Sequence, residues 1–218
     1  MTEEQGATTP ADFWRGPFGN EYHERQTVTM AANCALFGRI LSATDGVTSL
    51  AELGAGTGLN LRALKMLGHL GSKDRPWGFP QFDLCGVDVN AEAVRQILSI
   101  GGVIGVESAV QDWRPTRQFD LTFTKGMLIH IPPADLPAVY ETLVTASSKY
   151  VCVAEYYNPS PVEVEYRGHA GRLWKRDFAG ELMDRHGLQL VDYGFAYHRG
   201  PHPQDDISWF LLRRGAAT

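Results

Sequence analysis

Short apolar runs alternate with stretches of helical spacing along most of the chain. Thr48–Leu53, Phe82–Val87, Val103–Gln111, Phe119–Thr124 and Tyr150–Ala154 read as strands, because β-branched and aromatic residues crowd between turn-forming ones. Helical periodicity appears across 20–43, with Tyr22, Met30, Leu36, Phe37 and Ile40 among polar positions. It returns at about 59–67, 91–100, 134–146 and 175–186. Leu188–Tyr197 and Ile207–Arg213 are two further strands joined by a Gly/Pro-rich loop. Strands separated by helices predict a parallel sheet with helices on both faces. The last pair has no helix between its members and predicts an antiparallel hairpin. The expected fold is α/β: a three-layer sandwich on a seven-stranded, mostly parallel sheet. One domain overall is expected, with residues 1–43 as an N-terminal tail and lid helix packed on a core formed by 44–218.

Length and composition agree with one such core: 218 residues, 44% hydrophobic, 21% charged. The formal net charge of −5 lacks the basic footprint of a nucleic-acid binder. The three cysteines are far apart, and two lie in strand candidates, as expected of core residues in a reducing compartment. No apolar run reaches the ~20 residues of a membrane span, and the polar, acidic start is unlike a signal peptide. A cytoplasmic protein with no membrane and no nucleic-acid partner is expected.

In open α/β sheets ligands gather beyond the carboxyl ends of the strands, and the polar residues cluster there. Glu52-Leu53-Gly54-Ala55-Gly56-Thr57-Gly58 ends the first strand and opens the first helix. Its glycines allow a tight turn and close approach of a ligand to the backbone. They stand at i, i+2 and i+4, which fits neither GxGxxG nor GxxxxGK[ST]. Asp88 ends the second strand, where a carboxylate can accept from both hydroxyls of a ribose; its structural alternative is a helix N-cap. Asp112 and Trp113 end the third strand, and Asp112 can instead be a turn residue. Lys125 ends the fourth. His130 follows, either as a general base near neutral pH or as a ring holding a backbone carbonyl. Glu155, Tyr156, Tyr157 and Asn158 close the fifth strand, where two aromatic faces and a carboxylate can cage a cation. A basic stretch carries Arg167, His169, Lys175 and Arg176, suited to an acidic substrate or simply to solvent. His198 and His202 lack further ligands, so no metal site is expected. The aromatic segment 13–22 is a natural lid, with Tyr22 and Arg25 as its candidate cofactor contacts.

The Glu52–Gly58 loop resembles motif I of class I S-adenosylmethionine-dependent methyltransferases, [D/E]xGxGxG. That resemblance implies S-adenosylmethionine as cofactor, held by Glu52, Gly54, Gly56, Gly58, Asp88, Asp112, Trp113 and Lys125, with Asp112 at the adenine amino group. Phe119–Gly126 resembles the family's motif IV strand. Asn158-Pro159 is similar to the [D/N]PP[Y/F] motif of DNA adenine methylases, but it follows the fifth strand instead of the fourth, so that reading is rejected. The segments FWRGPFGNEY (13–22), ELGAGTGLNL (52–61), FTKGMLIHIPP (123–133), AEYYNPSPVEVEYRGH (154–169), KRDFAGELMD (175–184) and PQDDISWFLL (203–212) resemble the pseudaminic acid biosynthesis-associated methylase family. This implies methylation of a small, sugar-linked acceptor. The cofactor has three electrophilic carbons, so an alternative is a cyclase: its own amine closes azetidine-2-carboxylate and releases methylthioadenosine, as in some proteins that this fold resembles. A non-catalytic cofactor-binding protein is the third possibility.

Overall fold

The computed structural model describes residues 10–24, 28–70 and 78–215. Seven strands form one sheet: β1 (Ser49–Leu53), β2 (Asp83–Asp88), β3 (Val103–Glu107), β4 (Phe119–Lys125), β5 (Ser147–Glu155), β8 (Gln189–Ala196) and β9 (Ile207–Arg213). Their order is β3-β2-β1-β4-β5-β9-β8. The first five are parallel; β9 runs antiparallel to both β5 and β8. The last two strands therefore pair as the hairpin pattern predicts, with the final strand inside the sheet and β8 on its edge.

Helices on both faces explain why the central strands read as unbroken apolar runs. Along β5, Val151 and Val153 join α6 (Leu136–Thr145) and α7 (Phe178–His186) in one core. Tyr150, Cys152 and Ala154 point the other way, into a core with α3 (Met30–Ser42) and α4 (Leu59–Leu70). The period of two in strands produces this division. The hydroxyl of Thr122, buried within β4, donates to the Leu143 carbonyl at 2.7 Å, which removes the cost of an unpaired polar atom.

Two expectations are corrected. The pattern over 20–43 is two helices, α2 (Pro17–Glu24) and α3, because the Thr29 side chain accepts from Ala32 N and starts a new helix. A short α1 (Pro10–Arg15) precedes them. The third strand stops at Glu107, and Val110–Asp112 is a 3-10 turn whose Val110 joins the core with α6; the helix before that strand is α5 (Ala91–Leu98). The sequence pattern assigns no element to the basic stretch. It is the second half of a separate hairpin, β6 (Val162–Tyr166) against β7 (His169–Lys175). Alternation in Val162-Glu163-Val164-Glu165-Tyr166 was its sequence signal.

Candidate functional site

A cavity of about 810 Å³ opens beyond the carboxyl ends of β1, β2 and β4. The glycine loop forms its floor. Gly54 N and Ala55 N both donate to the Val87 carbonyl, at 2.8 and 3.0 Å, so the loop is tied to β2. Gly54 has φ +75, and a Cβ there would lie 2.2 Å from Met127 Cγ; only glycine fits between the loops after β1 and β4. Gly54 and Gly56 line the cavity, whereas Gly58 backs onto Ile97 and Ile100 of the α5 region.

Asp88 is fixed by the loop it faces. Its Oδ2 accepts from Gly56 N at 2.7 Å, and its Oδ1 accepts from Asn90 N at 2.9 Å. Asn90 caps α5 and donates its amide to the Trp14 carbonyl and to Asn20 Oδ1. The first two helices are thus latched to the same strand end as Asp88. Ser108, Ala109, Val110 and Gln111 continue the wall beyond β3.

The opposite end is polar and deeply buried. Glu52 Oε1 accepts from Asn60 Nδ2 at 2.5 Å, while Glu52 Oε2 and Asn60 Oδ1 have no hydrogen-bond partner among the described residues. Burial raises the Glu52 pKa to about 8, with Asn60 and Lys125 opposing and Asp88 adding to the rise. Lys125 lines the same end. Burial lowers its pKa, against the charges of Glu52, Asp205 and Glu155.

The outer end is aromatic. His130 lies with its ring 4.6 Å from Trp14 and 4.9 Å from Tyr166. Its Nδ1 is 2.7 Å from the Arg172 carbonyl. A carbonyl only accepts, so Nδ1 carries the proton and Nε2 is the basic nitrogen. Burial lowers its pKa to about 4, against the rise from the Arg172 bond. Of the two roles expected of His130, the structure shows the carbonyl holder, through Nδ1, which leaves Nε2 as the other ring nitrogen.

Several expected residues stand elsewhere. The 3-10 turn after β3 sends Gln111 inward, leaves Asp112 exposed and buries Trp113 beside Phe119. Asp112 and Trp113 therefore do not line the cavity. Glu155 is buried behind it, accepting from the backbone N–H groups of Met127, Leu128 and Ile129 at 3.1, 3.1 and 3.4 Å. It clamps the loop after β4, and burial raises its pKa to about 7 despite these donors. Of the aromatic pair, Tyr156 lines the cavity, with Lys175 Nζ 5.3 Å from its ring centre. Tyr157 is exposed beside Phe210, and Asn158 donates to the Ser160 carbonyl, so no two-tyrosine cage forms. Arg176 is engaged by Glu181. Arg167 lines the cavity. His169 lies in β7 opposite Tyr166. Tyr22 lies in α2, and Arg25 is outside the described residues.

The sequence reading missed Asn33, Asn60, Asn90 and Asp205. Asn60 sits two residues beyond the last glycine of the loop, on the first turn of α4, a spacing that aims it back at Glu52. Asn33 and Asp205 reach the cavity only through the fold and leave no local signal.

No protein-family model and no curated protein matches the chain. Solved structures do. A 1,6-didemethyltoxoflavin-N1-methyltransferase of Burkholderia thailandensis, with bound 1,6-didemethyltoxoflavin and S-adenosylhomocysteine, is 16% identical with a TM-score of 0.67, over 95% of this chain and 91% of that one. The DhpI–SAH complex is 22% identical with a TM-score of 0.64, over 95% and 96%. DesVI of Streptomyces venezuelae is 13% identical with a TM-score of 0.63, over 90% and 97%. At these identities the likeness is one of fold: the Rossmann-like fold of S-adenosylmethionine-dependent methyltransferases.

Proposed function

We propose that the chain binds S-adenosylmethionine and transfers its methyl group to a small-molecule acceptor, sugar-linked or nonulosonic-acid-related compounds being the first class to test. The observation that carries this reading is the continuous wall of Gly54, Gly56, Asp88 and Ser108, contributed by the ends of three successive strands. The polar groups fit the cofactor at both ends. Asp88, fixed by two backbone N–H groups, accepts from ribose hydroxyls. Ser108–Gln111 flank the base. The open oxygens of Glu52 and Asn60 need donors, which an ammonium supplies, and Lys125 faces the neighbouring carboxylate. When bound, the cofactor supplies an electrophilic carbon beside a sulfonium.

The chain's own part is alignment, worth most when the reacting atoms are held about 3 Å apart. It also handles one proton. His130 Nε2 takes it from an acceptor hydroxyl or amine, while the Arg172 carbonyl keeps the ring oriented. Glu155 acts at one remove, holding the Met127–Ile129 backbone on which this wall rests. Trp14 and the latched first helices keep water from the outer end.

The test is to incubate the pure protein with S-adenosylmethionine, with and without candidate acceptors, and identify the nucleoside formed. Acceptor-dependent S-adenosylhomocysteine supports methyl transfer. Methylthioadenosine formed from the cofactor alone would replace it with ring closure. Binding without either product would leave a non-catalytic cofactor protein.

A further inference from the structure

The tip of the β6–β7 hairpin carries an arginine where backbone preference opposes one. Tyr166 and His169 pair across a two-residue turn made of Arg167 and Gly168. Both turn residues have positive φ, 51 for Arg167 and 81 for Gly168. Two-residue hairpins of this kind take Asn, Asp or Gly at the first position, because other side chains clash in the left-handed region. An arginine held there departs from the local rule, and such departures concentrate at functional sites.

Its surroundings say what it is for. The four basic residues of this stretch whose side chains are described, Arg167 to Arg176, divide sharply. Arg172 lies over the Phe13 ring at 4.7 Å, Lys175 over Tyr156 at 5.3 Å, and Arg176 pairs with Glu181. Arg167 alone among them lines the cavity. It has no carboxylate within ion-pair distance among the described residues; its contact is the Tyr166 ring, 5.8 Å away. Of the four described carboxyls that line the cavity, Glu52 and Asp205 act on Lys125, Asp88 accepts from Gly56 N and Asn90 N, and Asp135 is the fourth. Beneath Arg167 the wall is the aromatic trio of Trp14, His130 and Tyr166.

We propose that this outer end is the acceptor subsite, and that it selects a ring bearing an anionic group. The ring lies against Trp14 and Tyr166, and the Arg167 guanidinium takes the carboxylate or phosphate in its two-pronged fork. Arg167 is then a specificity-determining residue. This rests on reading the rest of the cavity as the cofactor's place.

The experiment uses the full chain saturated with S-adenosylhomocysteine, whose own binding is measured first by calorimetry. Three fragments follow by ligand-observed magnetic resonance: 4-hydroxybenzoate, phenyl phosphate and 4-hydroxybenzamide. One anionic probe is expected to bind at least about tenfold tighter than the neutral amide, the size of one charge-assisted hydrogen bond. Which anion leads distinguishes a carboxylate from a phosphate acceptor. Arg167→Asn suits the turn, so its melting temperature should equal or exceed that of the parent while the anion preference disappears. Arg167→Lys should keep part of the preference. Equal binding of all three fragments, or a preference that survives in Arg167→Asn, overturns the inference. Absence of S-adenosylhomocysteine binding instead overturns the cofactor reading, and the fragments are then compared on the unliganded protein.

Discussion

Glu52→Gln should make the protein more stable and its ligand site worse. The wild-type carboxyl is 1% exposed, and its pKa rises from an ordinary 4.5 to about 8. Below pH 4.5 the group is neutral in both the folded and the unfolded chain. Between pH 4.5 and 8 the folded chain keeps a proton that the unfolded chain releases, so stability falls as pH rises. Above pH 8 the whole cost of a buried carboxylate is present. At about 1.4 kcal/mol per tenfold change in proton affinity, that cost approaches about 5 kcal/mol. Water entry and side-chain adjustment reduce it to an expected ~2–4 kcal/mol. Glutamine keeps the size and the oxygen that accepts from Asn60 but does not ionise. Urea unfolding of both proteins at pH 4, 7 and 9 should give matching midpoints at pH 4. The variant's midpoint should lie higher at pH 9 by about 1–2 M, given a slope of roughly 2 kcal/mol/M. Calorimetry with S-adenosylhomocysteine should move the other way, weakening as an ammonium loses its acceptor. Parallel pH dependences of stability in the two proteins would refute the account of Glu52.

Asp88→Ala should lower S-adenosylhomocysteine affinity by about ten- to a hundredfold in calorimetry, the worth of a charge-assisted hydrogen bond; unchanged affinity would remove Asp88 as the ribose ligand. His130→Ala should cut turnover by about a hundredfold with cofactor affinity intact. Because burial holds the wild-type ring neutral above about pH 4, a pH–rate profile should show no acidic limb from this ring between pH 5 and 8. Gly194→Ala should destabilise by about 1–3 kcal/mol, since a Cβ there would meet the Trp209 indole at 2.8–2.9 Å. Thermal melting of that variant checks it.

Elements with period-two or helical spacing were legible in the chain, and so were the ends of the strands where chemistry collects. Gly54, Gly56, Asp88 and Lys125 line the cavity, and the sequence marked them because they follow the apolar runs of the strands. Asp112 and Trp113 were misplaced because the third strand ends early. A 3-10 turn advances about 120° per residue, so neighbouring side chains there face in quite different directions. Glu155 looked catalytic from its position, but a strand-end carboxylate can point at backbone N–H groups as readily as at a ligand. Tyr156 and Tyr157 illustrate the same limit: adjacent strand-end residues face opposite sides, so one meets the cavity and the other the surface. The β6–β7 hairpin was hidden by its charges, which masked an alternating pattern. The outer wall depends on α1, the loop after β4 and this hairpin meeting in space, which no local stretch encodes.

The position of β9 bears on how the protein is made. Its register pairs Val151 with Leu212 on one side and Leu190 with Leu212 on the other. On the ribosome, β5 and β8 emerge before the strand that joins them. Until Ile207–Arg213 has left the exit tunnel, β5 presents an apolar edge with unpaired backbone groups, a template for association with other chains. Asp205 arrives with the same segment. The polar end of the cavity and the sheet are therefore completed together, and a nascent chain halted before Ile207–Arg213 emerges has neither complete.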